Sequence, residues 1–328
     1  MSSKNSPISR SNKIRVGITI GDPSGIGPLI TIKALNKLKG KADFVVIGDK
    51  WVLERISQVP SPKSQVKIVD LNNVNRKVFS LGRIKAEYGR ASVEYLDKAL
   101  ELLRDKEIDC LVTAPISKEA INKAGFKYSG HTEYLLGKTR VKEVAMLLLN
   151  NKLKFSLVTR HIPIEKVSKA LTQSKLYNNI RITCKSLRNL FGIKRPRLVV
   201  CGLNPHASDN GLIGREENRI IKPVLKKLKN RMQLHIDGPL SADVAIASAK
   251  AGNYDCVIAM YHDQALIPLK LTGGDSGVNM TLGLPFIRTS PLHGTAFDIA
   301  GTPGLVNPAS MIAAIKSAIK CASFLKKA

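Results

Sequence analysis

Three of the six histidines in this sequence come directly after apolar, β-prone runs of residues. They are His161 after residues 155–160, His206 after residues 197–205 and His262 after residues 255–261. Because ligands in open α/β sheets bind outside the carboxyl ends of the strands, we expect these imidazoles to converge on one site. Three imidazoles with an open position are typical of a catalytic metal centre. Any one of them alone is more simply a structural histidine, so the metal prediction depends on the recurrence.

A second group of residues suits an anion. His131 and Thr132 stand in a loop before a predicted helix, where free backbone N–H groups bind phosphate or carboxylate. The same segment is equally well explained as a helix start, with Ser129 or Thr132 as the N-cap and Glu133 favourable to the helix dipole. Both interpretations stay open on this segment alone.

Lys270, Asn279 and Arg288 lie in a segment rich in glycine. Cationic and amide side chains beside exposed backbone amides are typical of a site for a phosphate ester. Each of the three alone is more simply a solvent-exposed polar residue. His293, in a nearby loop that contains Pro and Gly, is given no role.

Two glycine motifs that would indicate nucleotide binding are incomplete. Residues 21–28 follow the first predicted strand, but Ile30 stands where a dinucleotide fingerprint needs its third glycine. A tight turn alone explains that segment. Residues 137–139 end like a P-loop, but Thr132 occupies the position of the first glycine, which argues against an ATPase of that type.

Short apolar runs alternate with helical patterns along the chain. Strands are predicted over residues 14–20, 43–47, 66–69, 109–112, 155–158, 197–201 and 255–259. Helices are predicted over residues 27–39, 90–104, 173–191, 215–229, 242–251 and 308–325. This alternation predicts βαβ units, a mostly parallel sheet and helices on both of its faces. No linker rich in Gly, Ser or Pro divides the chain, so two domains would share a continuous or crossing sheet.

The size and composition are those of a globular α/β protein with a sizeable core, since the chain has 328 residues. No apolar run approaches the roughly 18 residues that span a bilayer. Residues 1–12 are polar and are predicted to form a disordered tail without a secretory signal. The five cysteines are scattered and form no CxxC pair, which predicts buried free thiols in a reducing compartment. We therefore expect a cytoplasmic protein with no membrane partner.

The net charge of +27 admits two interpretations. A nucleic-acid-binding protein would carry such charge, but aromatic residues make up only 5% of the chain and do not interleave with the basic residues. A diffuse basic surface also attracts anionic substrates. We favour the second interpretation, with no nucleic-acid partner, and keep the first as a remote alternative.

Several strings of residues together resemble one family. Residues 17–28 (Gly-Ile-Thr-Ile-Gly-Asp-Pro-Ser-Gly-Ile-Gly-Pro) are similar to the amino-terminal signature of the 4-hydroxythreonine-4-phosphate dehydrogenases, enzymes of pyridoxal phosphate synthesis. The strongest match is Tyr-His-Asp-Gln at residues 261–264. Further matches, in the family's order, are residues 112–118, 129–134, 204–207, 277–290 and 293–296.

This resemblance implies an α/β fold of the isocitrate/isopropylmalate-dehydrogenase type, with two α/β/α subdomains and an active-site cleft between them. Residues 13–130 plus 285–328 would form the first subdomain and residues 131–284 the second. That fold binds NAD without a glycine fingerprint. The resemblance further implies a homodimer with a shared active site, in which His262 comes from the partner chain.

The resemblance also assigns residues. It implies that His161, His206 and His262 bind one divalent metal (zinc, magnesium or cobalt) and that NAD or NADP is the cofactor. The substrate ligands would be His131, Thr132, Lys270, Asn279 and Arg288. Lys270 would act as a phosphate clamp or proton acceptor, and Asp243 as a further polar group near the site.

The implied reaction is oxidation of 4-phosphohydroxy-L-threonine to 2-amino-3-oxo-4-(phosphooxy)butanoate, which loses CO2 to give 3-amino-2-oxopropyl phosphate on the route to pyridoxine 5'-phosphate. The alternative within the class is a dehydrogenase of a related sugar-acid phosphate, derived from threonate or erythronate. Two departures bear on that choice. Leu29 replaces the family's usual Glu, and residues 271–276 differ from the common pattern.

Overall fold

The computed structural model describes residues 13–56, 66–128, 130–232 and 234–327. The predicted tail over residues 1–12 lies outside the described residues. None of the described helices is long and apolar enough to cross a membrane. All five cysteines are free and buried, as predicted.

Eleven strands form one sheet in the described chain. They are β1 Arg15–Thr19, β2 Asp43–Gly48, β3 Val66–Asp70, β4 Cys110–Thr113, β5 Ala145–Leu149, β6 Lys154–Leu157, β7 Arg197–Cys201, β8 His235–Leu240, β9 Cys256–Ala259, β10 Val278–Leu282 and β11 Arg288–Pro291. Their order across the sheet is β3-β2-β1-β4-β11-β10-β5-β6-β9-β7-β8. Only β11–β10, β10–β5 and β5–β6 pair antiparallel, which confirms the mostly parallel sheet.

Helices pack on this sheet. They are α1 Gly27–Lys37, α2 Lys50–Ile56, α3 Ala86–Arg104, α4 Lys118–Lys123, α5 His131–Thr139, α6 Val167–Ala170, α7 Gln173–Phe191, α8 Lys222–Met232, α9 Ala242–Lys250, α10 His262–Gly273 and α11 Ala309–Lys327. Residues 217–221 form a π-helical turn that leads into α8. The 137–139 segment is the end of α5 rather than a phosphate loop.

The core follows from the strand composition. The parallel strands are apolar along nearly their whole length, as expected for strands covered on both faces. One large buried cluster joins β1, β2 and β4 to α1, α3 and α11. A second lies where β5, β6, β7 and β9 meet α9 and α10. The predicted α/β class is therefore confirmed.

The sheet is continuous through its middle. Strands β1–β4 and β11 lie on one side, and strands β5–β10 lie on the other. β10 pairs with β11 from Val278 opposite Pro291 to Thr281 opposite Arg288, so backbone hydrogen bonds join the two sides. The predicted division into residues 13–130 plus 285–328 and residues 131–284 stays a prediction.

Glycines in the 21–28 segment make room for protein backbone. A β-carbon on Gly27 would lie 2.2 Å from the carbonyl oxygen of Ile20, and one on Gly25 would lie 2.9 Å from that of Thr295. Gly21 has a φ of +73° and would meet the carbonyl oxygen of Pro115 at 2.2 Å. The segment packs three chain segments together, so a tight turn explains its glycines without a bound dinucleotide.

Asp22, in the same segment, predicts a pH-dependent stability. Its carboxyl is fully buried, Oδ1 accepts hydrogen bonds from the Ser24 N–H and Oγ (3.0 Å each), and Oδ2 has no partner among the described residues. Burial raises the pKa of Asp22 from 3.8 to about 6, against the hydrogen bonds from Ser24. Because the folded-state pKa is the higher one, stability falls as pH rises from about 4 to about 6.

We expect Asp22→Asn to stabilise the protein by about 1–3 kcal/mol at pH 7.5 and by much less at pH 4. The amide oxygen keeps both bonds from Ser24, and the cost of a buried charge disappears. Urea unfolding at the two pH values measures the difference. Asp105→Asn, at an exposed acid, serves as the control. An equal loss of stability at both pH values would show that the carboxyl is not a buried charge.

Candidate active site

One pocket of about 860 Å³ opens beside the carboxyl ends of β4 and β6. Its walls come from the turn after β4, the amino-terminal end of α5, the loop after β6, the middle of α7 and the segment that follows β11. This is the edge at which ligands are expected in a parallel α/β sheet.

Sheet order explains why two of the predicted histidines meet. β6, β9 and β7 are neighbouring parallel strands, and their carboxyl ends lead to His161, His262 and His206 in that order. His161 and His262 both line the pocket, with ring centroids 5.6 Å apart. His206 is exposed and does not line it. In the described part of the chain, no group of three His, Cys, Asp or Glu residues is placed to hold a metal ion.

The chemistry of the two close imidazoles suits a metal ligand. Desolvation lowers the pKa of His161, and the Lys118 ammonium lowers it further, which favours the neutral ring. His262 Nδ1 lies 2.6 Å from Asp263 Oδ1. A proton held there leaves the Nε2 lone pair free, the usual arrangement of a metal-binding histidine and its carboxylate. Two of the three predicted ligands therefore fit a metal. The expectation that His262 comes from a partner chain stays a prediction.

The loop that carries His206 has an unusual backbone. Residues 206–210 all have φ between 44° and 72°, and such left-handed residues cost roughly 1–2 kcal/mol each when they are not glycine. The buried Glu217 carboxylate fixes the start of this loop by accepting from the backbone N–H groups of Leu203 and Asn204 at 2.8 Å each. A strained loop held by a buried acid is typical of a functional segment.

Arg288 is a buried cation without an acidic partner. It is 2% exposed, and its guanidinium donates to Thr113 Oγ1 at 2.7 and 3.1 Å and to Thr281 Oγ1 at 3.1 Å. No carboxylate of the described chain lies within ion-pair distance. Burial lowers the pKa of Arg288 to about 10, while Glu133 acts in the opposite direction. Since a buried charge is stable only when paired, the pocket needs an anion at this point.

Polar atoms around Arg288 also lack partners. His131 Nε2, Asn279 Oδ1 and His293 Nε2 are buried, line the pocket and make no hydrogen bond within the described chain. Burial lowers the pKa of His131 well below its ordinary value, and the Arg288 charge adds to this. His131 is therefore neutral at the start of α5, whose N-cap residue Gly130 offers no capping side chain. A bound anion would accept from Arg288 and from the Nε2–H tautomers of His131 and His293, whereas Asn279 Oδ1, an acceptor, would take a donor of the ligand.

The predicted site residues divide into two sets. The pocket brings together His131, Thr132, His161, His262, Asn279 and Arg288. It does not include His206, Lys270 or Asp243. Lys270 is exposed on α10 and Asp243 is exposed on α9, so within one chain neither of them contacts this pocket.

Sequence reasoning gave no ligand role to several polar residues of the pocket. Lys118, Glu133, Arg160 and His293 all line the cavity. Each stands close to a residue or motif already singled out, directly after a strand or at a helix start. Position at the carboxyl end of a strand is the signal that could have found Lys118 and Arg160, as it found His161.

The family described as pyridoxal phosphate biosynthetic protein PdxA matches residues 33–318. A 4-hydroxythreonine-4-phosphate dehydrogenase of Sulfurihydrogenibium sp. (strain YO3AOP1) is 43% identical over 93% of this chain and 98% of its own length. A protein of Oceanobacillus iheyensis, provisionally named D-threonate 4-phosphate dehydrogenase, is 38% identical over 95% and 99%. The crystal structure of a 4-hydroxythreonine-4-phosphate dehydrogenase from Klebsiella pneumoniae superposes with a TM-score of 0.85 at 36% identity, over 96% of this chain and 99% of that one. These likenesses confirm the predicted fold class.

Proposed function

The chain belongs to the family of pyridoxal phosphate biosynthetic protein PdxA, and from that premise we propose that it oxidises 4-phosphohydroxy-L-threonine with NAD or NADP and a divalent metal. The observation that carries the proposal is the buried Arg288 without an acidic partner, surrounded by unpartnered polar atoms of His131, Asn279 and His293. A phosphate monoester supplies the charge and the acceptor oxygens that this arrangement lacks.

The phosphate end of the pocket would hold the substrate as follows. Arg288 donates its guanidinium N–H groups to phosphate oxygens, and the backbone N–H groups at the start of α5 donate to the others. Neutral His131 adds a hydrogen bond without adding charge. Thr132 and Asn279 complete the contacts. These groups position the C3 hydroxyl of the bound substrate near His161 and His262, and the same residues exclude water from the phosphate.

NAD or NADP, when bound, would accept a hydride from C3, and the hydroxyl proton would pass to a base. The resulting β-keto acid, 2-amino-3-oxo-4-(phosphooxy)butanoate, loses CO2 and takes up a proton to give 3-amino-2-oxopropyl phosphate. A zinc, magnesium or cobalt ion held by His161, His262 and His206 would lower the pKa of the hydroxyl and polarise the ketone. The desolvated pocket wall and Lys118 keep His161 neutral for that role.

Two features of the pocket support a dinucleotide as the second ligand. Its volume of about 860 Å³ exceeds what a small phosphorylated amino acid needs. Its rim includes Gly294, whose α-carbon faces open space, so a ligand can approach the backbone closely there. We propose that NAD or NADP enters along this rim.

A homodimer would bring the remaining site residues to the pocket. Lys270 shares α10 with the exposed side chains of Ile267 (58%) and Leu271 (82%), and Asp243 is next to the exposed Val244 (53%) on α9. Exposed apolar side chains grouped in this way are typical of a protein interface. We propose that a second copy covers them, which places Lys270 and Asp243 of one chain at the pocket of the other.

We expect Leu271→Asp to convert the dimer to a monomer, because a carboxylate would be buried without a partner in the interface. Light scattering during size-exclusion chromatography measures the mass. Val78→Asp is the matched control, since Val78 is 53% exposed in the segment between β3 and α3. Dissociation by both variants, or by neither, would contradict this interface.

Mixed dimers test whether the site is shared. Lys270→Ala and Arg288→Met are each expected to be inactive alone. Random mixing makes one intact site in each heterodimer, so activity would return to about a quarter of wild type. Full activity of Lys270→Ala alone would remove Lys270 from the site.

The direct test of the proposed function is NADH or NADPH formation from 4-phosphohydroxy-L-threonine by the metal-loaded protein. We expect turnover with one of the two nucleotides and release of CO2. No reduction of either nucleotide, while both ligands bind, would overturn the proposal.

One second candidate is supported by the comparisons. Relatives provisionally named D-threonate 4-phosphate dehydrogenase, from Oceanobacillus iheyensis and Salmonella typhi, are each 38% identical to this chain. A threonate or erythronate phosphate has the same phosphate and carboxylate and differs by a hydroxyl in place of the ammonium. Parallel assays with both substrate types decide between them.

A further inference from the structure

Several charged side chains in the pocket have no partner in the described chain, Lys118, Glu133 and Arg160 among them. Lys118, Glu133 and Arg160 line the cavity, yet none of them makes an ion pair within 4.0 Å or a side-chain hydrogen bond with a described residue. Charged side chains that face a cavity without partners leave their interactions available to a ligand. Two of the three, Lys118 and Glu133, carry opposite charges close to one another.

Gly130 marks where these two side chains converge. A β-carbon on Gly130 would lie 3.8 Å from Glu133 Oε2 and 4.0 Å from Lys118 Cε. Lys118 is the first residue of α4, which Ser117 caps through a hydrogen bond to the Ala120 N–H. Glu133 is the third residue of α5. Two helix starts therefore bring the Lys118 and Glu133 side chains close to one glycine.

Glu133 interacts electrostatically with both Arg288 and His161. Glu133 raises the pKa of Arg288 against the larger effect of burial, so its charge reaches the phosphate end. It also raises the pKa of His161, which desolvation and the Lys118 charge lower. Lys118, Glu133, His161 and Arg288 all line the same pocket, so a single ligand can contact them together.

We propose that Glu133 and Lys118 bind the amino-acid end of the substrate, the carboxylate of Glu133 accepting from the α-ammonium and the ammonium of Lys118 donating to the α-carboxylate. An α-amino acid carries its ammonium and its carboxylate on the same carbon atom. The pocket presents a carboxylate and an ammonium, those of Glu133 and Lys118, close to Gly130. This inference rests on the proposed function, and it makes Glu133 the group that selects an amino-acid phosphate over a sugar-acid phosphate.

The selection has a simple physical basis. A sugar-acid phosphate would offer Glu133 a neutral hydroxyl instead of a cation, so the hydrogen bond to the carboxylate would remain but the Coulomb attraction between opposite charges would be lost. Lys118 would not distinguish the two substrates, because both carry the carboxylate.

Binding without turnover tests the proposal. Calorimetry in the absence of nucleotide would measure the affinity of the metal-loaded protein for 4-phosphohydroxy-L-threonine and for its analogue with a hydroxyl at C2. We expect Glu133→Gln to weaken binding of the amino compound by about 10- to 100-fold and binding of the hydroxy analogue by less than about 3-fold. Lys118→Met is expected to weaken both by similar factors. Glu119→Gln, at an exposed acid that pairs with Lys123 on α4, is the control.

The outcomes separate this inference from the proposed function. If the wild-type protein binds neither compound, the proposed function fails. If it binds both and Glu133→Gln weakens both equally, Glu133 acts by balancing the charge of Arg288 or the dipole of α5, and the inference alone is overturned. Unchanged binding of both compounds to Glu133→Gln also overturns it.

Discussion

Replacing Arg288 by Met is expected to lower kcat/KM by about 1000-fold, since it removes the buried donors that hold the charged end of the substrate. The same substitution is expected to leave the protein as stable as wild type or more so. Arg288 is buried without an acidic partner, and burial lowers its pKa to about 10, so the folded chain bears the cost of that charge until an anion binds. Steady-state kinetics and thermal unfolding measure the two effects.

Arg15 provides the matched control for Arg288. Its guanidinium pairs with the Asp109 carboxylate at 2.8 Å on the opposite end of the sheet. We expect Arg15→Met to leave kcat/KM unchanged and to lower stability slightly, by up to about 1 kcal/mol for a partly exposed pair. If Arg288→Met instead unfolds the protein, or keeps normal kinetics, then Arg288 is a structural cation and the phosphate assignment is wrong.

Replacing His161 by Ala is expected to release the metal and to lower kcat by about 1000-fold, because several kcal/mol of charge stabilisation at the reacting oxygen would be lost. Metal content after dialysis and the rate of NADH formation measure the two losses. Binding of the phosphorylated substrate through Arg288 and His131 should survive in part, since those residues are distinct from His161.

His235→Ala is the control for His161→Ala. His235 is an exposed histidine on β8, where it lies 3.8 Å from Asp237, and it does not line the pocket. We expect its loss to change neither metal content nor rate. Turnover that withstands a strong chelator would contradict the metal assignment altogether.

Sequence reasoning placed best the elements whose residues serve only to pack the core. The predicted helix over 173–191 and the predicted strand over 197–201 have the observed bounds of α7 and β7. α7 is amphipathic and ends at Gly192 with a φ of +71°, and β7 is an apolar run. Packing alone determines these segments, so the pattern of apolar residues is sufficient to locate them.

Four of the observed strands, β5, β8, β10 and β11, were not predicted. β10 and β11 were not predicted, because polar residues interrupt their apolar pattern: Asn279 and Thr281 in β10, and Arg288, Thr289 and Ser290 in β11. Most of those polar side chains line the pocket or bond Arg288, while the Thr289 hydroxyl donates to the Ala314 carbonyl oxygen of α11. The features that make the strands functional are the ones that hide them from a hydrophobic pattern.

The candidate site was predictable where it depended on strand ends. His161 and His262 could be placed together because each follows a strand, although only the structure shows that β6 and β9 are neighbours. The left-handed backbone at residues 206–210 could not be predicted, since none of these five residues is a glycine. Glu133 was interpreted as an acid that favours the dipole of its helix. The sequence does not show that the fold brings Lys118 of α4 close to it.

The continuous sheet has a mechanical consequence for the pocket. Arg288 pairs with Leu111 of β4 on one side and with Thr281 of β10 on the other, so it stands at the joint between the two halves of the sheet. Rotation of one half against the other about that joint would displace atoms in proportion to their distance from it. The guanidinium would stay nearly still while the outer walls move. A phosphate group bound to Arg288 would then keep its position while the outer walls of the pocket close around the remainder of the ligand.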